Sequence, residues 1–160
     1  MSESRVKRIL DWNEIGWLVD AILEKLPDEQ YDIVLVITRG GMVPACLISE
    51  KLHLRNIMVA AVQFHTRDGV SLDEPVFWQF PDDDLLRDKA VLIVDDVWDS
   101  GRTAVSVRDR VRSVARVGHV AVLHYKPGSS AYPDQQPDFY GEITDDWIIY
   151  PWDTTESSRP

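Results

Sequence analysis

The run from Val91 to Ala104 constrains this chain more than any other stretch. It opens with Val91-Leu92-Ile93-Val94, an aliphatic and largely β-branched run of the kind found in strands covered on both faces. Asp95 and Asp96 follow at once. Asp99, Ser100, Gly101, Arg102 and Thr103 then form a loop that leads into a helix expected from about Thr103 to Val117. The carboxyl edge of a parallel sheet is where α/β proteins bind ligands. The first turn of a helix adds free N–H groups and a positive dipole end, which suit a phosphate. Gly101 lets the backbone approach that phosphate, and Ser100 and Thr103 supply hydroxyl donors. Asp95 and Asp96 beside such a cradle can hold sugar hydroxyls.

Two other motifs share part of this pattern. A phosphate-accepting receiver domain has an Asp-Asp pair after its first buried strand, with most of the domain still to come. Here Asp96 lies past the middle of 160 residues. A Walker A loop needs Gly, four residues and Gly-Lys-Ser/Thr, which this chain lacks. A capping turn with solvated acids is the plain alternative, and the strand–loop–helix context weighs against it.

Elsewhere, Trp12, Ile15, Val19, Ile22, Leu23 and Leu26 fall at helical spacing and predict a helix from about Trp12 to Leu26. Asp11 and Glu14 have the spacing of a capping box, and Pro27 ends the pattern. Ile33 to Thr38 reads as a buried strand, Arg39-Gly40-Gly41 as a turn, and Pro44 as a first-turn helix residue. Asn56 to Phe64, Ala90 to Val94 and His119 to Tyr125 read as further strands. Between His65 and Asp84 the pattern fails around Gly69, Pro75 and Pro81. The expectation there is an extended, mobile excursion with a short returning strand at Val76 to Phe80, against an ordinary hairpin as the alternative. After Tyr125 the chain is expected to be irregular. Trp12, Trp17 and Trp98 are expected to pack. Alternating strands and helices predict an α/β fold around a mostly parallel sheet, in one domain spanning residues 1–160.

Acidic residues outnumber Lys and Arg 27 to 17, for a net charge of −10. That disfavours nucleic acid and anionic membrane surfaces as partners, because both are held by basic clusters. Arg102 to Arg116 is locally basic and reads first as a solvated helix face. Cys46 is the single cysteine, which excludes a disulfide framework and a cysteine-rich zinc site and suits a reducing compartment. The polar first ten residues lead into no apolar stretch. The expectation is therefore a cytoplasmic protein with no signal peptide and no membrane span.

Val91 to Ala104 resembles, almost residue for residue, the 5-phosphoribosyl-1-pyrophosphate signature of the type I phosphoribosyltransferases. Ile37 to Ala45, centred on Arg39-Gly40-Gly41, resembles that family's pyrophosphate loop. Leu86 to Ala90 resembles the approach to its signature strand. Lys126-Pro127-Gly128, Trp147-Ile148 and Pro151-Trp152-Asp153 narrow the resemblance to the bacterial xanthine–guanine phosphoribosyltransferases. It extends from about Tyr31 to Asp153, and Val62 to Phe80 and Gly128 to Asp146 depart from the subfamily.

The resemblance implies the type I fold, with a mobile active-site loop over residues 65–84 and a small C-terminal hood for the base. It implies transfer of a phosphoribosyl group to a purine nitrogen with release of pyrophosphate. Asp95 and Asp96 would hold the ribose hydroxyls and place negative charge near the developing cation. Ser100, Gly101, Arg102 and Thr103 would hold the 5-phosphate, and Arg39, Gly40 and Gly41 the pyrophosphate. Asp99 would take the imidazole proton as the other ring nitrogen attacks. Lys126 would donate to a 6-oxo group, Trp147 would stack on the purine, the Ile148 backbone would read its far edge, and Asp153 would help position the 2-substituent. Mg²⁺ is implied as cofactor, carried mainly by the substrate's pyrophosphate with Asp95 as its candidate protein ligand. The implied partners are the sugar pyrophosphate and a purine base, bound by a homodimer or homotetramer. Two alternatives stay open: transfer to another nucleobase, and a non-catalytic sensor of the sugar pyrophosphate.

Overall fold

Five consecutive buried residues, Ile33 to Ile37, form a strand because helices cover both of its faces. The computed structural model describes residues 5–153. Residues 1–4 and 154–160, which include part of the polar amino terminus and Arg159, lie outside the described residues. In chain order the elements are β1 (Lys7–Ile9), α1 (Trp12–Lys25), β2 (Ile33–Ile37), α2 (Met42–Lys51), β3 (Ile57–His65), β4 (Ser71–Gln79), α3 (Asp83–Leu86), β5 (Ala90–Trp98), α4 (Arg102–Arg112), β6 (Val117–Tyr125), a 3₁₀ turn (Pro127–Ser129), β7 (Phe139–Ile143) and β8 (Trp147–Ile149).

The main sheet has the order β4-β3-β2-β5-β6-β7 and is parallel except for the β3–β4 pair. Side chains alternate across it. Val34, Val36, Leu92 and Val94 face a core closed by Ile15, Val19 and Ile22 of α1 and Ile48 of α2. Ile33, Leu35, Val91 and Ile93 face a second core closed by Ala104, Val107 and Val111 of α4. This is the mixed α/β architecture the sequence predicts. Among the described residues no helix is long and apolar enough to cross a membrane.

The structure departs from expectation in several places. The capping box is present, with Glu14 N donating to Asp11 Oδ1 and Asp11 N to Glu14 Oε2, both at 2.9 Å. Trp17, however, is 67% exposed, and Trp12, though 58% exposed, keeps a ring contact with Trp152 at 6.0 Å between centres, while Trp98 is fully buried. α4 ends at Arg112 rather than near Val117, because Arg116 N and Val117 N both donate to the Lys89 carbonyl and turn the chain into β6. The segment after β3 is a hairpin, with nine residues in each strand and two register shifts. Its returning strand includes Pro75, which β4 tolerates because it is an edge strand. The carboxyl-terminal part contains two strands where irregular chain was expected. One of them, β8, pairs in parallel with β1, setting Lys7 opposite Trp147 and Ile9 opposite Ile149.

The basic helix is occupied within the chain. Arg108 is buried, with its guanidinium 5.5 Å from the Trp98 ring centre, and Arg110 lies 4.1 Å from that of Phe80. Arg112 donates to the Gly118 carbonyl at 2.8 Å, and Arg116 pairs with Glu29 at 3.0 Å.

Candidate active site

Three neighbouring strands, β2, β5 and β6, end at one edge of the sheet, and their carboxyl ends carry most of the residues singled out in the sequence. After β2 the chain turns through Thr38 to Gly41, with a cis peptide between Thr38 and Arg39. This loop presses on the end of β5. A Cβ on Gly40 would overlap the Asp96 carboxylate, and one on Gly41 would overlap the Val94 carbonyl. Glycine is therefore required for contact between the loop and the acidic pair. Arg39 is exposed beside it.

Asp95 and Asp96 each spend one carboxylate oxygen on the local backbone. Asp95 Oδ1 accepts from Asp96 N at 2.9 Å, and Asp96 Oδ1 accepts from Val97 N at 2.7 Å. Burial pushes the Asp95 carboxyl well above the usual carboxylate range, and the neighbouring Asp96 charge adds to the shift. Burial raises Asp96 as well. A carboxyl raised in the fold binds more protons folded than unfolded, so its cost to stability is largest at neutral pH and is relieved as pH falls through the raised value. Asp95→Asn is accordingly expected to raise the Tm of the unliganded protein at pH 7, with each kcal/mol relieved adding roughly 2–4 °C at this chain length. Calorimetric scans at pH 7 and pH 5 check this, since the gain must shrink at the lower pH.

Beyond the pair, the loop to α4 is shaped by Gly101. Its φ is +81°, and a Cβ there would overlap the buried Trp98 indole. Ser100 Oγ accepts from Arg102 N at 3.3 Å, which caps the helix start. Asp99 is partly exposed and makes no hydrogen bond or ion pair among the described residues. Ser100, Arg102 and Thr103 form one wall of a cleft of about 370 Å³, with Gln63, His65 and Thr66 of the hairpin opposite. The Arg102 side chain turns away from the loop backbone. It donates to Ser71 Oγ at 3.1 Å and to the Leu72 carbonyl at 2.6 Å, and it lies 4.3 Å from the Phe64 ring centre. Arg102 thus ties the hairpin to the loop between β5 and α4.

Lys126 follows β6 and is only 4% exposed. Its backbone N donates to the Trp98 carbonyl at 2.9 Å, which docks it against the end of β5. Its ammonium lies 5.9 Å from the Trp147 ring centre and makes no hydrogen bond among the described residues. Trp147 and Ile148 lie on β8, with Ile148 buried. Asp153 Oδ2 accepts from Tyr150 N at 2.8 Å, so at least part of that carboxylate holds the turn after β8. The sequence reading missed Tyr150 and His124, which are buried behind the acidic pair. No local spacing connects them, because the contact depends on how β5, β6 and β8 stack.

The phosphoribosyl transferase domain model matches residues 5–159. Xanthine-guanine phosphoribosyltransferases from Ruegeria sp. and Roseobacter denitrificans are each 32% identical over 148 residues, covering 89% of this chain and 79% of theirs. Among solved structures, a purine phosphoribosyltransferase from Pyrococcus horikoshii is 32% identical with a TM-score of 0.76, covering 92% of this chain and 94% of that one. A Neisseria gonorrhoeae protein solved with bound ppGpp is 29% identical with a TM-score of 0.78, covering 97% and 93%. These matches, together with the glycine-turned loop lying against the acidic pair, place the chain in the purine phosphoribosyltransferase family.

Proposed function

We propose that this chain transfers the 5-phosphoribosyl group of 5-phosphoribosyl-1-pyrophosphate to a 6-oxopurine (xanthine, guanine or hypoxanthine) and releases pyrophosphate. The observation that carries the reading is Lys126, whose side chain is almost wholly covered while its accessible ammonium tip lies beside Trp147 with no hydrogen-bond acceptor among the described residues. A 6-oxo group supplies that acceptor, and an amino group does not. In this reading Asp95 and Asp96 grip the ribose hydroxyls and stabilise positive charge on the ring. Ser100, Gly101, Thr103 and the Arg102 backbone hold the 5-phosphate at the start of α4. Arg39, Gly40 and Gly41 hold the pyrophosphate. Asp99 accepts the imidazole proton, Trp147 stacks on the base, Ile148 reads its edge through the backbone, and Asp153 positions the 2-substituent. The whole chain works as one domain, in the cytoplasm, as a homodimer or homotetramer.

Among the described residues no group of three or more His, Cys, Asp or Glu could hold a metal ion. The donors fit a shared ion brought by the pyrophosphate, with Asp95 contributing, rather than a resident cage. When bound, Mg²⁺ would offset the charge of the leaving group. Chelation is expected to abolish transfer while circular dichroism stays unchanged; activity that survives chelation would remove Mg²⁺ from the reaction. The function itself is tested with the sugar pyrophosphate and Mg²⁺ against xanthine, guanine, hypoxanthine, adenine, orotate and uracil. Product limited to the three 6-oxopurines is the expected result, and orotate or uracil turnover would support another acceptor. The relative solved with bound ppGpp motivates a second reading, in which this chain also receives a guanine nucleotide with two diphosphates. Competition of ppGpp with the sugar pyrophosphate in the same assay tests it.

A further inference from the structure

His124 is fully buried on β6, two residues before Lys126, and the proposed chemistry makes no use of it. Its Nδ1 lies 2.9 Å from the Tyr150 hydroxyl. That hydroxyl donates to the backbone carbonyl of Asp96 at 3.3 Å. On the far side, His124 Nε2 lies 3.3 Å from Glu142 Oε2, off the line of a hydrogen bond, and Arg8 pairs with the same carboxylate at 2.9 Å. Burial pushes the imidazole down to about 4, so it is neutral at pH 7. With the proton on Nδ1, the imidazole donates to the Tyr150 oxygen and the hydroxyl donates to the Asp96 carbonyl, and this is the tautomer that satisfies both contacts. Tyr150 itself lies one residue beyond β8. It is only 4% exposed and stacks on Trp152 with ring centres 4.7 Å apart. Through its hydroxyl Tyr150 therefore links its own turn after Trp147 and Ile148 to β5 with the ribose-gripping pair and to β6 with Lys126.

We infer that Tyr150, held in place by His124, is a positioning residue that fixes the angle at which the base-binding strand presents a purine to the ribose. The inference rests on the phosphoribosyl-transfer reading above. The hydroxyl is taken up by His124 and the Asp96 carbonyl, so each substrate should still bind when it is lost. What suffers is their mutual alignment, which counts in the transition state and not in binding.

The test is steady-state kinetics on Tyr150→Phe, His124→Leu and His124→Asn with the sugar pyrophosphate and guanine, alongside thermal scans. Tyr150→Phe and His124→Leu are expected to lower kcat ~10- to 100-fold while both KM values move by less than about threefold. His124→Asn keeps a polar atom near the Nδ1 position and is expected to recover most of the lost kcat. A residue that merely fills space would lower Tm without this split and without rescue by Asn. Unchanged kcat in Tyr150→Phe, a loss carried by KM, or equal losses in His124→Asn and His124→Leu would each overturn the inference. If Tyr150→Phe does not fold, the two His124 variants decide by the same criteria. Failure of the wild-type protein to use any purine would overturn the functional reading and this inference together. An active wild type with an unimpaired Tyr150→Phe would overturn this inference alone.

Discussion

Asp99→Asn is expected to lower kcat about 10²- to 10⁴-fold, the usual span for loss of a general base. Binding of the sugar pyrophosphate is expected to stay near wild type. The alternative role for Asp99 is to cap the turn into α4, and the structure gives that role to another residue: Arg102 N is taken by Ser100 Oγ. Asp99 is left partly exposed at the mouth of the loop with no partner among the described residues. Asn keeps the size and hydrogen-bonding reach of Asp but cannot take a proton, so the substitution separates the two roles. Steady-state turnover and donor titration by calorimetry make the check. Near-normal turnover would return Asp99 to a structural part.

Lys126 is expected to set the choice of base, with the wild-type protein favouring guanine or xanthine over adenine by about 10³-fold or more. The argument is one of unmet hydrogen bonds. An ammonium that has no acceptor among the described residues and loses its remaining solvent when a base binds gains an acceptor from a 6-oxo group, whereas the 6-amino group of adenine sets donor against donor. Lys126→Ala should therefore lose activity on the oxopurines and narrow their advantage over adenine, measured as the ratio of kcat/KM values. A wild-type protein that used adenine as well as guanine would end the 6-oxopurine assignment. Phosphoribosyl transfer would then rest on Asp95, Asp96 and Asp99.

The parts that could be read from sequence are those whose signal is local. β2 and β5 announce themselves as unbroken aliphatic runs because both faces are covered, and the turn from Asp95 to Thr103 is a contiguous motif. The α1 capping box needs only two residues at fixed spacing. The parts that could not be read depend on distant neighbours. β1 and β8 are three residues each, too short to show a period, and exist because each supplies the other's ladder. Pro75 and the surrounding acids hid the first half of β4, so that the sequence predicts a strand only at its end, from Val76; a proline argues against a strand unless the strand is known to be an edge. Trp17 lies on a helix with a good apolar stripe, yet its ring is mostly exposed, and Trp12 reaches only the ring of Trp152 near the carboxyl end. Arg102 stands in the phosphate motif by position, and its side chain leaves for a hairpin that the motif does not predict.

The pairing of β1 with β8 has a consequence for how the molecule is made. The two strands of that ribbon are far apart in the sequence, Lys7 lying opposite Trp147, whereas the six-stranded sheet joins segments much closer together in the chain. Pairings that span more of the sequence form later, because a longer loop must close first. If β2 and β5 hold the sugar pyrophosphate as proposed, that edge can be complete while Trp147 is still unplaced. A partly folded chain is then expected to hold the donor before it is able to tell one purine from another.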